Sequence, residues 1–255
     1  LDNAHNAMAD TAATLDDFYS YFEKYYGPGN AVLVVAGDIN IEETKGLVTK
    51  YFSAVKPKPE LVRSFPQEEP ITELSRVKTY DANIQVPAIL AAYRTPGYTE
   101  RDAYVLDMIS AYLSGGKSSV LYKKLVDRQK QALEVAAINI SQKDYSMFTF
   151  LALPLGDVSL DLLLEEMDEE IALVQSNLIS ERDYQKLQNQ FESQFVNSNA
   201  SVEGIANSLA KYYLLYKDVN LINTSIDIYR SISREEIREV AQKYLSKNQR
   251  VEIEY

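Results

Sequence analysis

The sequence predicts an α+β fold, a two-layer structure in which helices cover one face of a mainly antiparallel sheet. Strand-length apolar runs occur in pairs, and longer segments with apolar residues at helical spacing separate these pairs. Several of the longer segments begin at Thr, Ser or Asn, the residues that cap helices. Hydrophobic residues make up 46% of the chain, which is enough for a sizeable core.

The first part of the chain contains a predicted helix, strand and second helix. Thr14 and two aspartates after it favour a helix start, and Gly27-Pro28-Gly29 ends that helix. The run from Ala31 to Ala36 is apolar throughout and predicts a strand. Asn40 and Glu43 then form a capping-box pattern at the start of the second helix.

Prolines among charged residues predict an extended linker over residues 56–70. We therefore divide the chain into three parts. Residues 1–55 would be the C-terminal end of a first, zinc-type domain, residues 56–70 the linker, and residues 71–255 a complete second, inactive domain that lines a substrate chamber.

Residues 71–255 repeat the alternation of strands and helices. We expect strands 71–80 and 86–93 to pair, and further strands over 132–141, 145–154 and 250–255. Helical patterns cover residues 100–114, 118–129, 160–174, 184–195, 202–216, 221–230 and 233–244. The acidic residues between Glu165 and Glu170 are expected to form a solvated helix face rather than a calcium site.

The two ends of the chain resemble each other. Thr14-Leu-Asp-Asp-Phe18 matches Ser233-Arg-Glu-Glu-Ile237 at an offset of 219 residues (233 − 14 = 219), and Val32 matches Val251 at the same offset. Such a repeat predicts two related domains, the first of them truncated.

The apolar run from Ala31 to Ala36 supports the same interpretation. A strand that is apolar on both faces normally lies inside a sheet, with a neighbour at each edge. No second strand is predicted in residues 1–55, so the neighbours would come from a missing segment, from another chain or from the second domain. The first option agrees with the repeat and with a chain that begins at Leu1 instead of Met.

The segment from Phe18 to Asp38 carries a family resemblance. It follows the pattern F…YY-x-P-x-N-A-x-L-x-V-x-G-D through Tyr26, Pro28, Asn30, Gly37 and Asp38. This pattern resembles a signature of the pitrilysin/insulinase-like zinc metallopeptidases, which include mitochondrial processing peptidase. The run from Gly115 to Tyr122 is similar to a helix start in the family's second domain.

The resemblance implies a duplicated metallohydrolase-type domain and zinc-assisted peptide hydrolysis. The family binds zinc through an H-x-x-E-H motif and a distal Glu. This chain has one histidine, His5, and no H-x-x-E-H. We therefore expect no metal ligand and no catalytic residue in this chain, zinc only in the full-length protein or its partner, and no peptidase activity from the chain alone.

Active relatives also use an Arg and a Tyr of the second domain, seven positions apart, to hold the substrate. Ungapped alignment from Ser118 places Val126 at the Arg position and Leu133 at the Tyr position, and both are apolar. Either a partner supplies the pair, or this branch works without it, or the protein is not a peptidase.

Two functions follow from the resemblance. The chain would supply the non-zinc half of a peptide-binding chamber, together with a missing N-terminal zinc domain or a homologous partner subunit, and dimers are expected. Alternatively, it would be a non-catalytic structural or partner subunit of a peptidase-like assembly.

Composition argues against several other classes of function. A net charge of −11 without a basic stripe disfavours nucleic-acid binding. Cysteine is absent, which excludes disulfides and thiolate metal sites. No apolar run approaches the roughly 20 residues that span a bilayer. Location stays open between the bacterial periplasm and the cytoplasm.

Overall fold

The structure is a computed structural model that describes residues 13–56, 58, 69–80 and 86–255. The chain forms two compact units. One unit combines residues 1–67 with 198–222, and the other combines residues 68–197 with 223–255. Most of the predicted linker 56–70 and His5 lie outside the described residues.

Eight α-helices are present in the part of the chain that the structure describes. They are α1 (Leu15–Tyr25), α2 (Ile41–Phe52), α3 (Arg101–Ser114), α4 (Leu160–Ser176), α5 (Glu181–Ser198), α6 (Val202–Tyr216), α7 (Leu221–Ser231) and α8 (Arg234–Tyr244). Most of these helices match predicted ones to within a few residues at each end. Their starts were predictable because the cap residues act locally, as Ser159 and Ser201 do before α4 and α6.

One predicted helix has a different form. Residues 118–129 were predicted as an ordinary helix, but Tyr122–Arg128 is a π-helix. The backbone N–H of Gln129 donates to the carbonyl oxygen of Lys124, five residues earlier, at 2.9 Å. The wider turn distinguishes this segment from α3 before it.

Five strands form one sheet, which contains β1 (Ser75–Lys78), β2 (Ile89–Pro96), β3 (Ala132–Ile140), β4 (Tyr145–Pro154) and β5 (Arg250–Glu254). The spatial order is β1-β5-β2-β4-β3, and only the β1–β5 pair is parallel. The predicted α+β class with a mainly antiparallel sheet is therefore confirmed.

The predicted pairing of the first two strands of this sheet is wrong. The C-terminal strand β5 lies between β1 and β2, antiparallel to β2 and parallel to β1. Sequence proximity favoured a hairpin, but the side chains of β1 join it to β5 instead. Arg76 and Lys78 both form ion pairs with Glu254, at 3.2 and 2.7 Å.

One face of the sheet carries the core of the second unit. Alternate residues of β2 and β4 are buried on this face, among them Tyr93, Phe148 and Phe150. Helices α3, α4 and α8 contact the strands, and α8 also contacts both other helices. The helices thus cover one face of the sheet, as the two-layer prediction required.

The first unit exposes most of its apolar residues. No regular strand forms over the predicted run Ala31 to Ala36, because no strand among the described residues pairs with it. The aromatic face of α1 is exposed, and so are Leu47 and Tyr51 of α2. Exposed apolar residues grouped in this way differ from the single, scattered ones that are normal on a protein surface.

No helix within the described ranges has the length and apolar character needed to cross a bilayer.

Ser233 caps α8, and we expect its replacement by Ala to destabilise the second unit. The backbone N–H of Glu236 donates to Ser233 Oγ at 3.1 Å, and the backbone N–H of Ser233 donates to Glu236 Oε2 at 3.4 Å. Losing the cap should lower the free energy of unfolding by about 1 kcal/mol, as measured with urea. Ser233→Asp keeps a hydrogen-bond acceptor and should lower it much less. Equal losses in both variants would show that the cap contributes little.

Candidate functional surface

The face of the sheet opposite the helices is mostly apolar and partly accessible. One row of laterally paired residues crosses all five strands, through Val77, Ile253, Leu90, Leu151 and Ala136. A second row runs parallel to it, through Ser75, Val251, Ala92, Thr149 and Ile138. All of these side chains except that of Thr149 are half-buried or exposed. We call these two rows, with Arg94, Met147 and Ile140 beyond them, the open face.

The open face follows from the period of two residues along a strand. In β4, residues on the helix side are buried, while Met147, Leu151 and Leu153 point away from the helices. Because both sides of β4 are apolar, the strand reads as a nearly continuous hydrophobic run. That run was visible in the sequence, but it did not show that one side would lack a covering layer of helices.

Among the described residues, the charged groups of the open face lie at its margins. Arg94 lies at one end of β2, where its guanidinium is 5.1 Å from the centre of the Tyr145 ring and donates to the carbonyl oxygen of Glu69 at 2.8 Å. Glu134 lies near the opposite end of β3, beside Leu153. The centre of the surface therefore suits apolar side chains.

A buried ion network fixes β5 beneath this surface, on the helix side. Arg250 is 0% exposed and donates through Nη2 to Asp168 Oδ2 at 2.9 Å, through Nε to Glu252 Oε1 at 2.8 Å, and through Nη1 to Tyr93 Oη at 2.8 Å. Burial opposes the charge of Arg250, but its bonds to Asp168 and Tyr93 outweigh this effect and raise the pKa of the guanidinium. Burial also raises the pKa of Tyr93 to about 12, although the nearby Arg250 works against that shift.

The acidic side of α4 is only partly the solvated face that its sequence predicted. Asp168 binds Arg250, and Glu166 and Glu170 both form ion pairs with Lys124 of the π-helix, at 2.8 and 3.0 Å. Sequence reasoning missed these partners because Lys124 and Arg250 are distant in the chain. The carboxylates of α4 connect the helix to the π-helix and to β5.

The residues aligned with the family Arg and Tyr lie on adjoining elements. Val126 belongs to the π-helix and packs against the core. Leu133 follows the first residue of β3, beside an irregularity in the β3–β4 register, and is 51% exposed. Neither side chain offers a hydrogen-bond donor for a substrate oxygen.

The motif residues of the first unit shape the chain between α1 and α2. Tyr26 stacks on Phe22, and Pro28 begins a short 3-10 helix that ends at Asn30. The side-chain amide of Asn30 donates to the carbonyl oxygen of Tyr25 at 2.9 Å. Gly37 has a φ of +145°, which favours glycine, and Asp38 follows it. These contacts give the motif a structural role.

The described residues do not fit a zinc site. Among them, no group of three or more His, Cys, Asp or Glu side chains could hold a metal ion. The whole chain has no cysteine, and its one histidine, His5, lies outside the described residues. A zinc-dependent reaction would need ligands from elsewhere.

Comparison with known proteins gives a consistent set of relatives. A family model described as peptidase M16 inactive domain matches residues 12–191. The zinc protease PqqE of Helicobacter pylori is 25% identical over 238 residues, covering 92% of this chain and 53% of that protein. An uncharacterized zinc protease of Rickettsia felis is 24% identical over 233 residues, covering 91% of this chain and 55% of that protein. The chain thus spans about half the length of these curated relatives.

Solved structures show the same fold. A protease from Helicobacter pylori superposes with a TM-score of 0.85 at 23% identity, over 95% of this chain and 59% of that chain. A peptidase M16 inactive domain from Pseudomonas fluorescens gives a TM-score of 0.78 at 14% identity, over 95% of this chain and 57% of that chain.

Proposed function

Because this chain belongs to the peptidase M16 inactive-domain family, we propose that it supplies the half without zinc of a zinc-dependent endopeptidase and forms one wall of its substrate chamber. The relatives named as zinc proteases support the link to peptide hydrolysis. The zinc ligands would come from a further domain or a homologous partner subunit, since the described residues hold no metal-binding group.

The open face is the observation that carries the proposal. It presents two rows of mostly apolar side chains, while helices cover the other face of the same sheet over β2, β3 and β4. A peptide lying against it would bury apolar area, which contributes about 25 cal/mol per Å². β1 and β3 are the edge strands of the sheet in the described part of the chain, and their outer edges would offer backbone groups to an extended peptide, as in strand addition.

The test uses the full-length protein from which this chain derives. We expect stoichiometric zinc, cleavage of peptides with apolar side chains, and loss of cleavage on chelation. Leu151→Glu at the centre of the open face should lower kcat/KM for such peptides about tenfold or more, because an apolar contact is replaced by a charge. Leu173→Glu, at an exposed position of α4, is the matched control and should leave kcat/KM unchanged.

A specific observation favours a second function, that of a non-catalytic partner subunit. Val126 and Leu133 are apolar where the resemblance places substrate-holding Arg and Tyr side chains. No zinc and no cleavage in the full-length protein, alone or with a homologous partner, would support this function and rule out the first.

Equal effects of Leu151→Glu and Leu173→Glu in an active enzyme would show that the open face does not contact substrate.

A further inference from the structure

The two outer edges of the sheet are not equivalent, because serines of α3 bind the edge of β3. The backbone N–H of Ala137 donates to Ser114 Oγ at 2.8 Å, and the Ser114 hydroxyl donates to the carbonyl oxygen of Ala137 at 2.9 Å. Ser110, one helical turn earlier, donates to the same carbonyl oxygen at 2.7 Å. Both backbone groups of Ala137 are thus bound by side chains of a helix and not by a strand.

These bonds show which backbone groups of β3 point outward. In an antiparallel pair, successive residues direct their backbone groups alternately towards the partner strand and away from it. The groups of Ala137 point away from β4, because they reach α3 instead. Two residues later, the side-chain amide of Asn139 donates to the carbonyl oxygen of Ala103 at 3.3 Å and to Asp107 Oδ1 at 2.8 Å. α3 therefore lies along this edge, and an added strand would have to break its bonds to Ala137.

The outer edge of β1 makes no such bonds in the part of the chain that the structure describes. The backbone N–H of Thr79 donates to the carbonyl oxygen of Glu254 in β5 at 2.8 Å. By alternation, the groups of Val77 point to β5 as well, whereas those of Arg76 and Lys78 point outward. No hydrogen bond joins these outward groups to any described residue. Two N–H groups and two carbonyl oxygens of β1 are therefore available to an added strand.

We propose that an extended peptide adds as a strand to the outer edge of β1, while Ser110 and Ser114 keep the edge of β3 closed to it. The inference rests on the proposed function, because it names the edge at which the chamber wall would hold its substrate. Each backbone bond to the peptide would contribute about 0.5–1.5 kcal/mol. Alternate side chains of the peptide would lie beside Val77, which begins the first row of the open face. Apolar residues at alternate positions of the peptide would extend that row.

A second copy of this chain is a poorer occupant of the β1 edge. β1 has four residues, so its edge is about 13 Å long, which is short for an interface that must bury about 1,000 Å². Pairing of two β1 strands would also bring the side chains of Arg76 and Lys78 in both copies together. Like charges opposite each other destabilise a sheet. A peptide without cations at the facing positions avoids this repulsion.

Hydrogen exchange of the full-length protein, resolved to single amides, tests the closed edge. Ser114→Ala removes the acceptor of the Ala137 N–H, so this amide should exchange at least about tenfold faster. Ser110→Ala is the matched control, because it keeps the acceptor, and exchange should stay within about threefold. The amide of Ala91 in the central strand β2 reports the stability of the sheet as a whole. Equal exchange of the Ala137 amide in the two variants would overturn the closure of this edge.

Peptide binding tests the edge of β1. The probe is a fluorescent peptide with Val at alternate positions, and zinc is removed from the full-length protein by chelation so that the peptide stays intact. Lys78→Pro removes the outward N–H, whereas Lys78→Ala removes the same side chain and keeps the N–H. Fluorescence anisotropy should show about tenfold weaker binding to Lys78→Pro than to Lys78→Ala. Equal affinities, with unchanged exchange of the Ala91 amide in both variants, would contradict the proposal.

Photo-crosslinking locates the peptide without any substitution in the protein. A benzophenone on the same peptide should label residues 72–80, as identified by mass spectrometry. Labels in residues 132–140, or only on β2 and β4, would place the peptide elsewhere and refute the assignment to β1. Absence of binding would contradict both this inference and the proposed function. Labelling at β1 in a protein that is isolated without zinc and cleaves no peptide would contradict only the proposed function.

Discussion

Replacing Arg250 by Met is expected to lower the free energy of unfolding by about 3–5 kcal/mol, because it leaves buried carboxylates without their partner. Glu252 is almost fully buried, and Asp168 is three-quarters buried. Arg76 approaches Glu252 only to 3.8 Å and Lys247 approaches Asp168 only to 3.6 Å, so neither replaces the short bonds that Arg250 donates. Urea unfolding followed by circular dichroism measures the loss.

A surface arginine provides the control for this prediction. Arg230 pairs with Glu192 and Asp227, but both carboxylates are well exposed. Arg230→Met should therefore change the unfolding midpoint little. A third variant, Arg250→Met with Asp168→Leu and Glu252→Leu, removes all three charges and should recover much of the stability. If Arg250→Met and Arg230→Met lowered the free energy of unfolding equally, the network would contribute no more to stability than a surface ion pair does.

The helices of this protein were predictable because their signals are local. Thr14, Ser233 and Ser201 each cap a helix within three residues of their own position. The match between Thr14 and Ser233 was also visible, and both residues begin a capping box in the structure. Local caps and periodicity thus gave most of the helix bounds and the fold class.

The sheet order and the ion network were not predictable in the same way. The pairing of β1 with β5 joins Ser75 to Val251, and nothing near either strand indicates the other. Arg250 reads as a surface residue at the end of the chain, yet it is fully buried beside Asp168 of α4. Long-range pairing depends on the whole topology, and a polar residue in a strand reveals its partner only when that topology is known.

The open face itself was missed for a related reason. Alternation along β4 identifies two apolar sides, but a sequence does not show which side the helices cover. Leu151 and Phe150 are neighbours in the chain with opposite surroundings: Phe150 lies in the core with Tyr93, whereas Leu151 is on the accessible side. This pair separates the two faces experimentally.

Phe150→Ala is expected to lower the free energy of unfolding by about 3–5 kcal/mol, because it leaves a cavity between the sheet and the helices. Urea unfolding measures the loss. Leu151→Ala should lower the free energy of unfolding by only about 1 kcal/mol, since its side chain is half-buried and keeps contact with water. The same pair measured in the full-length protein distinguishes a chamber wall from a permanent interface. A solvent-filled chamber leaves the cost of Leu151→Ala small, whereas an interface packed against another domain would raise it towards the cost of Phe150→Ala. A large cost in the full-length protein would therefore contradict the assignment of the open face to substrate, even if zinc and cleavage were both found.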